Sequence, residues 1–136
     1  MLTLVLPLKG RGEFTPRFAQ YALRLPYKVL VADGSLSPQR HLVEGYPRIE
    51  YHYHEPDHTL ADYWAKMVWA LDLVQTPYAM VCDNDDFPVS EGIDLAINFL
   101  DTNPDFVGCS GRIQGFWLWP DKVNGPYCHT TRQYAP

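Results

Sequence analysis

Five short runs of strand-forming residues, 3–7, 28–32, 49–53, 78–82 and 105–109, alternate along the chain with stretches of helical character. The first, second and fourth are apolar almost throughout and lack the alternation of a strand with one wet face. Strands buried on both faces belong to parallel sheets, whose crossovers lay helices over both sides. The repeat therefore predicts an α/β fold: three layers, α/β/α, around a mostly parallel sheet of about five strands with Rossmann-like topology, the first four in the order 3-2-1-4. No internal repeat and no long linker divides the 136 residues, so one domain spanning 1–136 is expected.

The helices announce themselves by punctuation. Thr15 and Pro16 read as N-cap and first helical residue of a segment carrying Phe18, Tyr21, Ala22 and Leu25, which Pro26 stops. Ser37-Pro38 opens a short helix that Gly45 ends. Thr59 and Asp62 form a capping box before Leu60, Tyr63, Trp64, Met67, Val68 and Leu71, an apolar stripe that reads as core packing. Lys66 falls off that stripe near the first turns, within reach of a ligand but with water as its expected partner. Pro88 and Ser90 open a further helix through Ile93, Ala96, Ile97 and Leu100, closed by Asn103-Pro104. From Ile113 the chain is aromatic, with Phe116, Trp117 and Trp119, but interrupted by Gly and Pro, and no regular element is expected there. Those aromatics read as an incomplete core edge or an interface, a route to a homo-oligomer, ahead of a shelf for a sugar ring.

The chemistry gathers where strands end. After the run 78–82 come Asp83, Asn84, Asp85 and Asp86, three carboxylates within four positions. Like charges repel where solvation is poor, so the cluster calls for a hard cation such as Mn²⁺ or Mg²⁺, or else for full exposure as a solvated turn. Pro7 and Leu8 lead into Lys9-Gly10-Arg11-Gly12, two cations and two glycines suited to phosphate or nucleotide contacts, or to an ordinary turn. Asp33 follows the second strand with Gly34 and Ser35; it either accepts hydrogen bonds from a base or ribose or caps its own turn, with Gly34 free to take positive φ. In a 3-2-1-4 sheet these ends ring one crevice, at the point where the winding direction reverses.

Other classes recede. A formal net charge of −5 argues against a nucleic-acid partner. The apolar start, 2–8, is too short for a membrane span and has no basic leader before it, so a cytoplasmic protein is expected. Cys82, Cys109 and Cys128 are too widely spaced for a disulfide framework or a structural zinc site, and His52, His54 and His58 match no usual zinc spacing.

With these residues in order, the chain resembles the N-terminal, nucleotide-sugar-binding part of GT-A glycosyltransferases, the inverting family 2 type in particular. Residues 3–7 are similar to that family's opening strand, 29–35 to its second-strand "VVDDGS", and 78–88 to its segment of tyrosine, hydrophobic residues and D-x-D-D. The resemblance covers roughly residues 2–112. It implies a nucleoside-diphosphate-sugar donor and an unidentified acceptor, with Asp33 on the base, Pro7 and Leu8 lining its pocket, and Asp83 near the ribose. Asp85 would ligate the Mn²⁺ or Mg²⁺ that bridges the diphosphate, with Asp83 and Asp86 beside it; Lys9, Lys66 and Asn84 complete the donor-binding set. The departures are Ala32 where the family has its first Asp, and 65–68 in place of "A-R-N-x-G". They leave the base-contacting arginine and the general base unassigned. Residues 113–136 would be an incomplete acceptor-side segment, and the chain either a donor-binding half or a small enzyme completed by a partner. Two alternatives stand beside this one: a nucleotidyltransferase of similar topology, and a non-catalytic nucleotide-sugar-binding module.

Overall fold

The computed structural model describes residues 1–119 and 127–134. The chain divides into two compact units, Met1–Pro88 and Val89–Pro136. In the first, β1 (Leu2–Leu8), α1 (Thr15–Ala22), β2 (Lys28–Asp33), β3 (Ile49–Tyr53), α2 (Leu60–Asp72) and β4 (Tyr78–Val81) follow in chain order. The four strands make one all-parallel sheet in the order β3-β2-β1-β4, as the alternation of elements predicts.

The two central strands carry the core. Val5, Leu30 and Ala32 pack with Met67 and Ala70 of α2, flanked by Tyr63, Trp69, Leu73 and Val74. Leu4, Leu6, Val29 and Val31 point the other way by the pleat and are sealed as completely, so these strands are covered on both faces. Phe18 of α1 is fully buried, and its truncation to alanine would cost about 3–5 kcal/mol. The stripe on α2 is divided: Met67 and Ala70 are buried, whereas Leu60, Trp64, Val68 and Leu71 are exposed, so the expectation that the whole stripe packs into the core is corrected.

Caps and turns depart from the sequence reading where side chains serve another partner. Asp62 and Thr59 do form the reciprocal capping box of α2. Thr15, expected as the N-cap of α1, is instead inside it behind Phe14, and its hydroxyl accepts from Asn84 Nδ2 at 3.0 Å. The helix expected from Ser37 to Gly45 shrinks to one 3-10 turn, Arg40–Leu42, because the Gln39 N–H is drawn to Asp33 Oδ2 (2.8 Å) and the Tyr51 hydroxyl (2.9 Å).

The second unit holds α3 (Ser90–Thr102) and an antiparallel pair, β5 (Ile113–Trp119) with β6 (Tyr127–Tyr134), bulged between Gly115 and Phe116. The fifth parallel strand expected at 105–109 is absent. Pro104 and Asp105 instead occupy a turn closed by Phe106 N–H to Asn103 C=O at 3.0 Å, and Val107 is fully exposed. The tail expected to be irregular contributes both strands of the hairpin, while Pro120, Gly125, Pro126, Ala135 and Pro136 lie outside the described residues. No helix among the described residues is long and apolar enough to cross a membrane.

Candidate functional site

Pairing of β1 with β4 runs from Leu2↔Tyr78 to Val5↔Val81, whereas pairing with β2 continues to Leu8↔Asp33. Backbone groups of alternate residues face the same neighbour, and Val5 C=O still accepts from Cys82 N–H at 3.0 Å. Two residues on, Pro7 faces the same side with no N–H to offer. It is tolerated in a central strand because β4 has already parted from β1 there. The gap is the topological switch point, the usual seat of ligands in open α/β sheets. It opens into a cleft of about 140 Å³ lined by Pro7, Leu8, Lys9, Gly10, Arg11, Tyr63, Lys66, Asp83 and Asn84. Pro7, Leu8, Lys9, Lys66, Asp83 and Asn84, six of the seven residues assigned to donor binding, are thereby brought together, and Asp85 and Asp86 lie outside the lining.

The loop after β1 is held in an uncommon shape. Gly10 and Arg11 both take positive φ, +63° and +51°, which glycine adopts freely and arginine does not. The anchors are specific: Gly10 N–H donates to Ser35 Oγ at 3.0 Å, and Asn84 Nδ2 donates to Arg11 C=O at 3.1 Å. Asn84 is buried, so it lines the cleft while tying the β1 loop and α1 to the turn after β4. Arg11 lies 5.0 Å from the Phe14 ring centroid, Arg17 4.8 Å from the same ring, and Arg11 reaches Asp85 Oδ2 at 2.5 Å.

Lys66 corrects the sequence reading most sharply. Its side chain is fully buried rather than in water, with Nζ donating to Leu8 C=O at 3.0 Å and to Asp57 Oδ2 at 2.5 Å, and 5.6 Å from the Tyr63 ring. The signal was present in the spacing: Lys66 follows Tyr63 by three residues and precedes Ala70 by four, so it shares their inward face. Ala70 on that face packs on the apolar layer, and Lys66 one turn earlier reaches the polar end of β1 and Asp57. Asp57, in the loop between β3 and α2, carries no local signal and escapes sequence reasoning, as does Tyr63, assigned there to the core. Gly34 is likewise reassigned, since it does not take positive φ. A β-carbon there would overlap the Asp57 carboxylate, so its glycine is needed for close approach.

The three carboxylates of the acidic turn are all exposed, and only Asn84 between them is buried. Asp83 lines the cleft and is exposed, Asp85 pairs with Arg11 at 39% side-chain exposure, and Asp86 is exposed beside them. Desolvation, then the charges of Asp83 and Asp85, raise the Asp86 pKa above the usual carboxylate value, against a smaller pull from Arg11. The Cys82 thiol beneath is pushed up to about 12 by burial and by the same three carboxylates, which leaves it an inert core group. Tyr63 is raised by burial and by Asp83 and Asp57. Among the described residues no three His, Cys, Asp or Glu side chains converge into a cage for an ion. A hard cation needs none, because it takes one or two carboxylates and completes its shell with water and phosphate oxygens. Three carboxylates within four positions of one turn fit that role.

Asp33 is not brought to the cleft. It is completely buried, with Oδ1 accepting from Ser35 N–H (2.9 Å) and Oδ2 from Gln39 N–H (2.8 Å) and the Tyr51 hydroxyl (2.5 Å). Of its two sequence readings, the geometry is that of a turn cap. His52 and His54 stack against Trp69, with His52 Nε2 2.8 Å from Glu50, and form no metal group. No protein-family model matches this chain, and no curated protein matches it.

Proposed function

We propose that the switch-point cleft binds the nucleoside-diphosphate part of a sugar donor together with Mn²⁺ or Mg²⁺, and that the chain serves a glycosyltransferase of inverting type. The observation that carries this reading is the lining itself: Lys9 and Arg11 of the β1 loop, Lys66 and Asp83 meet at the edge where an open α/β sheet offers a ligand room, and Asp85, outside the lining, is tied to it through Arg11. A diphosphate needs positive charge on one side and a cation held by acid groups on the other; the β1 loop supplies the first and the turn after β4 the second. Asp85 and Asp83 would hold the ion with Asp86 adjacent; when bound, it acts as a Lewis acid on the departing diphosphate. Lys9 and Arg11 would neutralise the remaining charge, and Pro7, Leu8 and Tyr63 would form the apolar wall. On this reading α1 and α2 cover opposite faces of the sheet, completing the three-layer arrangement of GT-A folds, and Asp33 serves the site by shaping the Ser35 anchor of the β1 loop. At about 140 Å³ the cleft takes a base or a diphosphate rather than a whole sugar nucleotide.

A thermal-shift screen of UDP, GDP, CDP and ADP, with Mn²⁺ and with chelator, tests the proposal. One diphosphate should raise the melting temperature in Mn²⁺ and lose most of that effect in chelator. Stabilisation by none of the four under either condition would remove the proposal.

A further inference from the structure

Two charges lie under the cleft that packing does not require. Lys66 and Asp57 are both completely buried, and a buried ion pair is weak support for stability because apolar residues of the same size commonly serve as well. The geometry is specific nonetheless. Asp57 N–H donates to Gly34 C=O at 2.9 Å, its Oδ2 takes one Lys66 proton, and its Oδ1 is buried with no hydrogen-bond partner. An ammonium carries three N–H donors; Asp57 and Leu8 C=O take two, and Lys66 is itself a wall of the cleft.

We propose that Asp57 is a positioning residue: it clamps the buried Lys66 ammonium against Leu8 C=O and so fixes the end of β1 that lines the cleft for the bound nucleoside diphosphate. The inference rests on the nucleotide reading above. Gly34 is part of the device, because only a residue without a β-carbon lets the Asp57 carboxylate reach its place. The other ionisable groups around the cleft, Lys9, Arg11, Tyr63 and Asp83, line its walls, and none of them hydrogen-bonds Lys66.

The test uses the full chain with UDP and GDP in Mg²⁺, read by calorimetry and by the ¹⁵Nζ spectrum of the lysine ammonium groups. In the wild type the Lys66 ammonium, assigned by its loss in Lys66→Met, should shift when nucleotide is added. Asp57→Asn and Lys66→Met should each lower the melting temperature and weaken nucleotide binding by about tenfold to a hundredfold. The double variant Asp57→Asn/Lys66→Met controls for misfolding: it should regain melting temperature over Lys66→Met without regaining affinity. Wild-type affinity in a folded double variant, or an unmoved Lys66 resonance in nucleotide-saturated protein, would overturn this inference and leave the nucleotide reading intact. A wild type that binds none of UDP, GDP, CDP and ADP would overturn both.

Discussion

The strands on either side of β1 both end in aspartate, and the two ends have opposite characters. Asp33, after β2, is sealed and has three donors on its two oxygens. Asp83, Asp85 and Asp86, after β4, are exposed with one arginine beside them, and the Asp86 pKa is raised by desolvation and then by the charges of Asp83 and Asp85. A carboxylate satisfied by its own chain builds the fold; a carboxylate left under-neutralised at the mouth of a cleft is available to a ligand. Residue type and strand-end position are shared, and local donor supply separates the two roles.

The comparison breaks first at Asp33. Asp33→Ala orphans the Ser35 N–H, strips the buried Tyr51 hydroxyl of its acceptor and leaves the Gln39 N–H with that hydroxyl alone, so urea denaturation should show a loss of roughly 3 kcal/mol. Asp83→Ala and Asp85→Ala should stay within about 0.5 kcal/mol of wild type, since the Arg11–Asp85 pair is solvent-screened and exposed sites tolerate truncation. Comparable losses at both ends would erase the distinction.

Gly34→Ala should come next, at about 1–3 kcal/mol, because the new methyl group displaces Asp57 and forces a repacking of the Lys66 contact. Its chevron or urea midpoint, set beside that of Gly10→Ala, separates the two kinds of glycine. At Gly10 a β-carbon meets nothing and the cost is conformational, about 1 kcal/mol.

A smaller effect carries a sign. The folded pKa of Asp86 lies above the 3.8 of a free aspartate side chain, so the folded state holds that proton more tightly than the unfolded chain does. The stabilising contribution is complete below that value and is lost as pH rises through the folded pKa. Asp86→Asn should therefore melt higher than wild type at neutral pH and lose the advantage below about pH 4. An advantage independent of pH would point to packing rather than charge. Smallest of all, iodoacetamide at pH 8 should modify exposed Cys109 well before buried Cys82, as peptide mass spectrometry would read.

How much of this was legible in advance follows the range of the forces involved. The apolar runs of β1 and β2 are the buried parallel strands their composition predicts, whereas the equally apolar β4 is an edge strand with Ala79 and Val81 exposed, which corrects the expectation that it is covered on both faces; once the strand order is known the meeting of Pro7, Lys9, Asp83 and Asn84 follows from topology. The short run Phe106-Val107 misleads because two apolar residues cannot outweigh the turn chemistry of Asn103, Pro104 and Asp105. The β5–β6 hairpin is obscured by Gly and Pro within an otherwise strand-forming aromatic stretch. The Asp57–Lys66 pair is a tertiary event nine residues apart in sequence, on a loop and a helix, and only packing against Gly34 and Leu8 reveals it.

The central claim is that the turn after β4, and not the one after β2, recruits a cation to the switch-point cleft. Electron paramagnetic resonance of free Mn²⁺, titrated against the protein with saturating UDP or GDP, measures this directly. Mn²⁺ should bind the wild type, more tightly with nucleotide present, and binding should fall at least tenfold in Asp85→Ala. Equal Mn²⁺ affinity in wild type and Asp85→Ala, or no bound Mn²⁺ with either nucleotide, would contradict it.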